Sequence, residues 1–427
     1  MSERVAKNVV DRTFAAARSG AVAWNVHAEW LVQGRVNTGR LVEAAGATMH
    51  EHPMLRAKPA PGLDEAWTIP DESPPPTVTC GTALDDGAVD ELRGRLVSHR
   101  FDLNREPPVR FHVVRAPDDD HVLVVADHAL VDGVGVGRTM VSLMAAYGSG
   151  RGAEVDTRWR EAHALTAAFP PAGQVRRTMQ VLRERAYPLG VRLAPELADE
   201  CPGYGVAYHD LSAAAAQGLA AVPRGPSTAN DVVVAAFGVA GMRWNRSRGT
   251  APAPFSVGVP LNLRPARSWF EGVCNATVQW PVRVDDTSPA GVLAQVTEQL
   301  RAVRGGLYST DVRAVLGHLA DRTRLSVRER YALATTTVVS IVPGADVARA
   351  NLPAGMATAR LYGGPPAPPA MGMTFGVVPD AGAYRFSARY LRSRHAHQGT
   401  RGFLSSVEAA IVELVELLNA GRMAMSR

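Results

Sequence analysis

Lysine is nearly absent from this sequence. Among the 46 basic residues of the 427-residue chain, only Lys7 and Lys58 are lysines, and the others are arginines. Arginine binds phosphate and carboxylate groups through paired hydrogen bonds. The excess of arginine over lysine indicates either a GC-rich genome or contact with an acidic partner. The formal net charge of +5 is compatible with both. No basic run is interleaved with aromatic residues, so nucleic-acid binding is not expected.

Cysteine is also scarce, and its spacing excludes several classes of protein. Cys80, Cys201 and Cys274 are scattered and form no C-x-x-C pair. This pattern argues against a disulfide framework and a zinc site, and it favours a reducing compartment. No stretch approaches the roughly 20 apolar residues of a membrane span, and residues 1–8 do not resemble a signal peptide. We therefore expect a cytoplasmic protein with neither a membrane span nor a metal.

The length of the chain predicts more than one lobe. A single hydrophobic core seldom extends over 427 residues, and the 46% hydrophobic content is ordinary for a globular protein. No sequence repeat is present. The spacing of Gly133, Gly135 and Gly137 does not match a dinucleotide-binding loop.

The most informative stretch runs from Val122 to Gly133. An apolar run ends at His128, and Asp-Gly follows shortly afterwards. An acidic turn at 118–120 separates this run from the alternating segment Val109–Arg115, which is typical of a β-hairpin. His128 is therefore expected at the end of a buried strand, immediately before a tight turn.

A helix is predicted after this turn. Asp132 is placed either to cap it or to bind a distant cation, and Gly133 gives the backbone the freedom that a sharp turn needs. The following apolar residues recur at helical spacing. They are Val136, Met140, Leu143, Met144 and Tyr147.

Periodicity and turn residues predict the other elements. Helices are expected over Thr38–Ala45 (stopped by His52-Pro53), Val89–Val97, Val175–Arg185, Val232–Met242 (capped by Asn230-Asp231), Ser288–Leu300 and around Val407–Val415. Strands are expected over Phe255–Leu261, Asn275–Pro281, Thr335–Ser340 and Tyr384–Tyr390. The proline-rich segment Pro59–Pro76 is predicted to be an exposed connection, and His395 and His397 to lie at the surface.

The His128-x-x-x-Asp132-Gly133 stretch resembles the His-His-x-x-x-Asp-Gly signature of the chloramphenicol acetyltransferase-like superfamily. That group includes condensation domains of nonribosomal peptide synthetases, wax ester synthases and polyketide-associated acyltransferases. Flanking segments resemble further motifs of these proteins in the right order: Glu51–Ala57, Phe101–Leu103, Pro107–Arg110, Thr228–Asp231, Val259–Pro265 and Ser340–Gly344. One departure is plain, because Asp127 stands where the family has its first histidine.

The resemblance implies an architecture. It predicts a mixed α/β (α+β) fold in which two chloramphenicol acetyltransferase-like lobes form a V around an active-site channel. The expected boundaries are an N-terminal lobe over 1–165, a helical linker over 166–204 and a C-terminal lobe over 205–427.

The resemblance also assigns roles at the site. His128 is expected to be the general base, the alternative being a buried structural histidine. Asp132 is expected to pair with Arg264 and to tie the lobes together behind the histidine. Asp127 either raises the pKa of His128 or points away into a hydrogen bond. Ser340 is a candidate oxyanion donor or a plain strand-end serine, and Asn230 is a further candidate site residue.

These roles predict a freestanding acyltransferase or condensation enzyme of nonribosomal peptide or polyketide biosynthesis. It would join an acyl thioester of a carrier protein or coenzyme A to an amine or alcohol, with the thioester as substrate and no further cofactor. The alternatives are a catalytically inactive docking module, which the changed Asp127 supports, a cyclisation enzyme on the same fold, and a wax ester synthase-like lipid acyltransferase.

Overall fold

Two hydrophobic cores organise the chain. One is built from residues between 26 and 162 together with residues 270–276, and the other from residues between 193 and 415. The computed structural model describes residues 2–17, 23–165, 191–196, 202–222, 227–304, 335–342, 344–346, 360–369, 371–380 and 382–425. The predicted helix Val175–Arg185 lies outside these residues. Because each core has its own strands and helices, the predicted two-lobed α/β architecture is confirmed.

The first half of the chain contains seven strands and five helices among its described residues. The strands are β1 (Glu3–Ala6), β2 (Asn25–Gln33), β3 (Lys58–Ala60), β4 (Leu63–Ile69), β5 (Val78–Thr82), β6 (Val109–Arg115) and β7 (Asp119–Asp127). The helices are α1 (Val9–Ala17), α2 (Thr38–Glu51), α3 (Asp86–Val97), α4 (Gly133–Ser149) and α5 (Trp159–Leu165), with a 3₁₀ turn at Pro53–Arg56.

The described part of the second half contains seven strands and four helices. The strands are β8 (Tyr204–Asp210), β9 (Phe255–Asn262), β10 (Thr277–Val284), β11 (Thr337–Ile341), β12 (Arg360–Gly364), β13 (Met373–Asp380) and β14 (Ala383–Leu391). The helices are α6 (Ala213–Ala220), α7 (Ala229–Ser247), α8 (Pro289–Ala302) and α9 (His397–Met425), with a 3₁₀ turn at Ala266–Ser268. Within the described chain, no helix combines the length and apolar character that a membrane span needs.

The described strands form three sheets. Their orders are β1-β4-β3, β12-β2-β7-β6-β5 and β10-β9-β11-β13-β14-β8. Parallel pairs, β5 with β6 and β11 with β9 and β13, occur beside antiparallel ones, so the two larger sheets are mixed. Strand β12 comes from the second half of the chain but pairs with β2 of the first half, with Tyr362 opposite Glu29 and Gly364 opposite His27. This strand therefore joins the two halves through backbone hydrogen bonds.

The predicted hairpin and the helix after it are confirmed. Strands β6 and β7 pair antiparallel around the acidic turn, and α4 begins at Gly133. The five apolar residues predicted for one face of α4 are all buried. The helix predicted before His52 is also present, because α2 ends at Glu51 and His52 is its C-cap.

The segment Pro59–Pro76 is not the exposed connection that its composition predicts. It contains most of β3 and all of β4, and β4 pairs with both β3 and β1. Trp67 is 1% exposed, and its indole N–H donates to the buried Asp11 carboxylate at 2.9 Å. Proline content reports local backbone preference, whereas the burial of this segment depends on a partner strand far upstream.

Two smaller predictions need correction. The N-cap of α7 is Thr228 and not Asn230, although Asp231 takes part in the cap as predicted: the Thr228 hydroxyl accepts from the backbone N–H of Asp231, and the Asp231 carboxylate accepts from the N–H of Thr228. His395 is not a surface residue, since it is 1% exposed and packs near Trp244. The capping box is a local pattern of Thr228 and Asp231, whereas the burial of His395 depends on tertiary packing.

Candidate active site

His128 is held by its backbone at the end of β7. Its N–H donates to the carbonyl of Trp24 at 2.8 Å, and its carbonyl accepts from the side-chain amide of Asn275 at 2.6 Å. Asn275 is fully buried, and the Asn8 side chain before α1 donates to its carbonyl at 2.9 Å. Residues from three distant segments therefore fix the position of His128.

The imidazole of His128 is covered by an aromatic ring. Phe14 of α1 stacks on it, with the ring centroids 3.8 Å apart and the planes inclined by 16°, and His128 is 8% exposed. Burial lowers the pKa of His128 to about 4, although the negative charge of Asp132 opposes the shift. Within the described chain, Nδ1 has no hydrogen-bond partner. The ring is therefore neutral near pH 7 and able to accept a proton.

Asp132 forms the centre of a buried ion pair. Its Oδ2 lies 2.9 Å from Nη1 of Arg264 and its Oδ1 lies 3.0 Å from Nη2, and both side chains are fully buried. The carboxylate also accepts from the backbone N–H of Gly135 at 2.7 Å, which caps α4, and from that of Ala276 at 2.8 Å. Both roles proposed for Asp132, helix cap and partner of a distant cation, are present together.

Arg264 satisfies its remaining donors with backbone carbonyls. It donates to the carbonyls of Glu271, Gly272 and Cys274 at distances between 2.9 and 3.1 Å. Burial is the largest single influence and would lower the pKa of Arg264, but Asp132 and Cys274 together outweigh it and the pKa is raised. The pair therefore fixes the segment that carries Asn275 against the start of α4.

Asp127, at the position where the resemblance predicts a histidine, is buried in the turn beside His128. Its Oδ1 accepts from the backbone N–H of Ala129 at 2.9 Å. In the antiparallel register it lies opposite Asn25, and Val125 lies opposite His27, so these side chains share one face of the sheet. The carboxylate is thus engaged with the backbone of the turn that carries His128.

Ser340 lies near the start of α4. A Cβ placed on Gly133 would lie 3.5 Å from its hydroxyl, and both residues line a narrow cavity of about 30 Å³ between the two halves of the chain. The wall of this cavity does not include His128, whose imidazole is stacked against Phe14. Asn230 is exposed on the first turn of α7, on a different element from the His128 cluster.

The structure adds residues that sequence reasoning missed. Phe14 and Asn275 contact His128, yet neither belongs to a motif that was recognised. Asn275 was assigned only to a strand, and it lies 147 residues from His128 in the chain. No local pattern signals such contacts, although the polar Asn275 among apolar neighbours was a weak indication of a buried role.

Comparison with known proteins identifies the fold. No family model matches the chain. An uncharacterized protein of Mycobacterium tuberculosis, found in two strains, is 27% identical over 303 residues, covering 65% of this chain and 67% of the relative. The condensation domain of Monacolin K polyketide synthase is 16% identical with a TM-score of 0.68, covering 97% of this chain and 98% of that chain.

A second solved structure with the same fold belongs to a domain that is named for a different activity. The epimerization domain from the third module of tyrocidine synthetase B is 14% identical with a TM-score of 0.69, covering 97% of both chains. The chain therefore has the chloramphenicol acetyltransferase-like fold of condensation domains, and the predicted resemblance is confirmed at this level. Because one fold carries several activities, the function has to be argued from the site.

Proposed function

We propose that this protein is an acyltransferase that joins an acyl thioester to an amine or alcohol, with His128 as the general base. The observation that carries the proposal is the neutral, backbone-anchored imidazole of His128 beside the buried Asp132–Arg264 pair. Neutral imidazole is the form that accepts a proton. The condensation-type fold supports this reaction class, and a carrier protein or coenzyme A would supply the thioester.

The proposed reaction balances without a further reagent. The acceptor nitrogen or oxygen attacks the thioester carbonyl while His128 removes its proton. The tetrahedral oxyanion collapses, the C–S bond breaks, and the proton passes from His128 to the leaving thiolate. Ser340 is the proposed donor to the oxyanion, because it lies beside Gly133 at the start of α4.

Replacement of the base tests the proposal. We expect His128→Ala to lower turnover by ~10²–10⁴-fold, with melting temperature and thioester binding near those of the native protein. The loss should be smaller with an amine acceptor than with an alcohol, since an unprotonated amine attacks without prior proton removal. The measurement is steady-state kinetics with both acceptor types, with the product identified by intact mass.

Asp127→His is the matched variant, because it restores the family's histidine pair next to the base. It is expected to change turnover far less than His128→Ala does, since the Asp127 carboxylate binds the turn backbone. Undiminished turnover in His128→Ala would remove the base assignment.

A docking module is the second candidate, and one observation favours it. Phe14 covers the imidazole, and His128 is 8% exposed. A docking module would bind a carrier protein or thioester and form no product, even after Phe14 is reduced to alanine. Product formation by the native chain or by Phe14→Ala would exclude this candidate.

A further inference from the structure

His27 of β2 is a buried histidine outside the His128 cluster. It is 0% exposed, and neither ring nitrogen has a hydrogen bond of ordinary geometry within the described chain. A buried polar group without a partner destabilises a folded protein. Leucine would fill a similar volume here without that cost, so packing alone does not account for the imidazole.

The ring contributes to the wall of the narrow cavity beside Ser340. It packs against β12, where a Cβ on Gly364 would lie 2.8 Å from its Cε1. The opposite wall contains Gly133 and Gly137 of α4, successive on one helix face, with Val342 close to both. Apolar side chains and glycines supply most of this wall, and His27 and Ser340 are among its few polar residues.

The charges around His27 keep its ring neutral. Burial is the largest cause and the Arg389 guanidinium the next, and together they lower the pKa of His27 to about 3. Glu29 acts in the opposite direction but is already paired with Arg93 at 2.7 Å, and the backbone of Gly364 opposes the shift weakly. Arg389 itself is occupied by the carbonyls of Asn25, Ala23 and Val97. The neutral ring thus offers one N–H donor and one nitrogen acceptor.

We propose that His27 is a specificity-determining residue that binds a hydroxyl or keto oxygen carried by the acyl group of the thioester. The assignment rests on the proposed acyl transfer and adds to it the class of acyl substrate. An unsubstituted alkyl chain would leave both ring nitrogens without a hydrogen bond of ordinary geometry, whereas an oxygen substituent would satisfy at least one. The slot would therefore discriminate between acyl groups of equal length by their oxygen content.

Binding is the first test, because it does not depend on turnover. Unsubstituted, hydroxy-substituted and keto-substituted acyl-coenzyme A thioesters of one chain length are titrated calorimetrically against the native protein. We expect an oxygenated thioester to bind ~10–100-fold more tightly than the alkyl one, which is the effect of one buried hydrogen bond. His27→Leu should abolish the preference, and His27→Gln, which retains a donor and an acceptor, should restore part of it.

His395→Leu is the matched control. His395 is also buried with both ring nitrogens unpartnered within the described chain, and its pKa is lowered to about 4 by burial, but it lies near Trp244 and away from the slot. Both leucine variants remove an unsatisfied imidazole, so both should keep or raise the melting temperature. Only His27→Leu should change the preference between thioesters.

The outcomes separate this inference from the proposed function. Equal affinities for all thioesters in the native protein, or a preference that survives His27→Leu, would overturn the role of His27 and leave acyl transfer standing. A preference that depends on His27 without product from any acceptor would support the binding role and overturn the transferase. Failure to bind any thioester, whether carried by coenzyme A or by a carrier protein, would overturn both. If His27 instead binds a structural water, His27→Leu should change the affinity for every thioester by the same factor. That result would also contradict the proposal.

Discussion

At the scale of single residues, the site depends on how two ionisable groups are buried. His128 is buried against an aromatic ring and is neutral, whereas Asp132 is buried against Arg264 and is charged. Desolvation disfavours the charged form of a lone histidine, while an opposite charge in contact stabilises a carboxylate. The same site therefore contains a proton acceptor and a fixed ion pair, each produced by its immediate neighbours.

Phe14→Ala should shift the acidic limb of the pH–rate profile. Removing the ring exposes the imidazole, so the pKa of His128 should rise from about 4 toward its ordinary value of 6.5. The base must be neutral, so activity is lost as pH falls through that pKa. We expect the acidic limb of the kcat/KM profile to move to higher pH by ~1–2 units. Phe14→Leu, which keeps an apolar side chain over the imidazole, should leave the limb nearer its native position. A limb that stays in place in Phe14→Ala would contradict the role of burial.

Breaking the ion pair should damage folding more than chemistry. Arg264→Ala or Asp132→Ala leaves a buried charge without its partner, at a cost of about 3–5 kcal/mol in the free energy of unfolding. Urea denaturation measures this loss. Arg267→Ala is the control, because its pair with Glu161 is exposed, with 77% of the arginine side chain accessible, and should change the free energy of unfolding by less than ~1 kcal/mol. A fully stable Asp132→Ala protein would refute the architectural role.

At the scale of elements, β12 determines how the two halves meet. It pairs with β2 on one side and packs on β13 and β14, and the Ser387 hydroxyl of β14 donates to the Gly363 carbonyl. Gly376 of β13 allows this approach, because a Cβ there would lie 1.7 Å from that carbonyl oxygen. The cavity wall includes residues of β12 and β13, so this close approach also shapes the slot.

Gly376→Ala should therefore displace β12. The added methyl group cannot fit against the Gly363 carbonyl, and we expect the free energy of unfolding to fall by ~1–3 kcal/mol. Hydrogen exchange should show lost protection in β12 and β2 before the other strands. Gly402→Ala in α9 is the control, since nothing lies within 4 Å of its added Cβ, and it should be neutral or stabilise by up to ~1 kcal/mol. Unchanged exchange in β12 would show that the contact is not needed.

At the scale of the whole molecule, buried polar contacts join the lobes. Glu29 of β2 accepts from Arg93 of α3 and from the hydroxyl of Tyr208 of β8, the latter at 2.6 Å. Arg389 of β14 donates to the carbonyl of Asn25 at 2.6 Å.

Burial also keeps a set of histidines neutral by lowering the pKa of each: His27, His52, His112, His128 and His395.

These histidines predict instability in acid. Their folded pKa values lie between about 3 and about 4, below the ordinary 6.5, so the unfolded chain binds more protons in that window. The stabilisation is complete above pH 6.5 and is lost as pH falls toward 4. Each histidine contributes up to ~1.4 kcal/mol per pH unit to this loss in the free energy of unfolding. Urea denaturation at pH 7, 6 and 5 checks this. His395→Leu should reduce the slope of the free energy of unfolding against pH. A free energy of unfolding that is independent of pH from 7 to 5 would contradict the prediction.

Local pattern was sufficient for the elements that carry the central motif. The alternation in Val109–Arg115, the apolar run before His128 and the helical spacing after Gly133 are short-range properties, and β6, β7 and α4 occur where they indicate. The pairing of Asp132 with Arg264 was expected from the family resemblance, not from spacing. The proline-rich Pro59–Pro76 was misassigned, because its burial depends on β1.

Tertiary structure alone decided the environment of the reactive groups. Phe14 covers His128, Asn275 binds the carbonyl of His128 across 147 residues of chain, and β12 crosses to the other half's sheet. His27 and His395 are buried although neither lies on a pattern that predicts it. Periodicity reports which face of an element is apolar, but a pKa or an unpartnered imidazole depends on which distant segment packs against that face. For this reason the identity of the base could be proposed from sequence, whereas its protonation state and its aromatic cover could not.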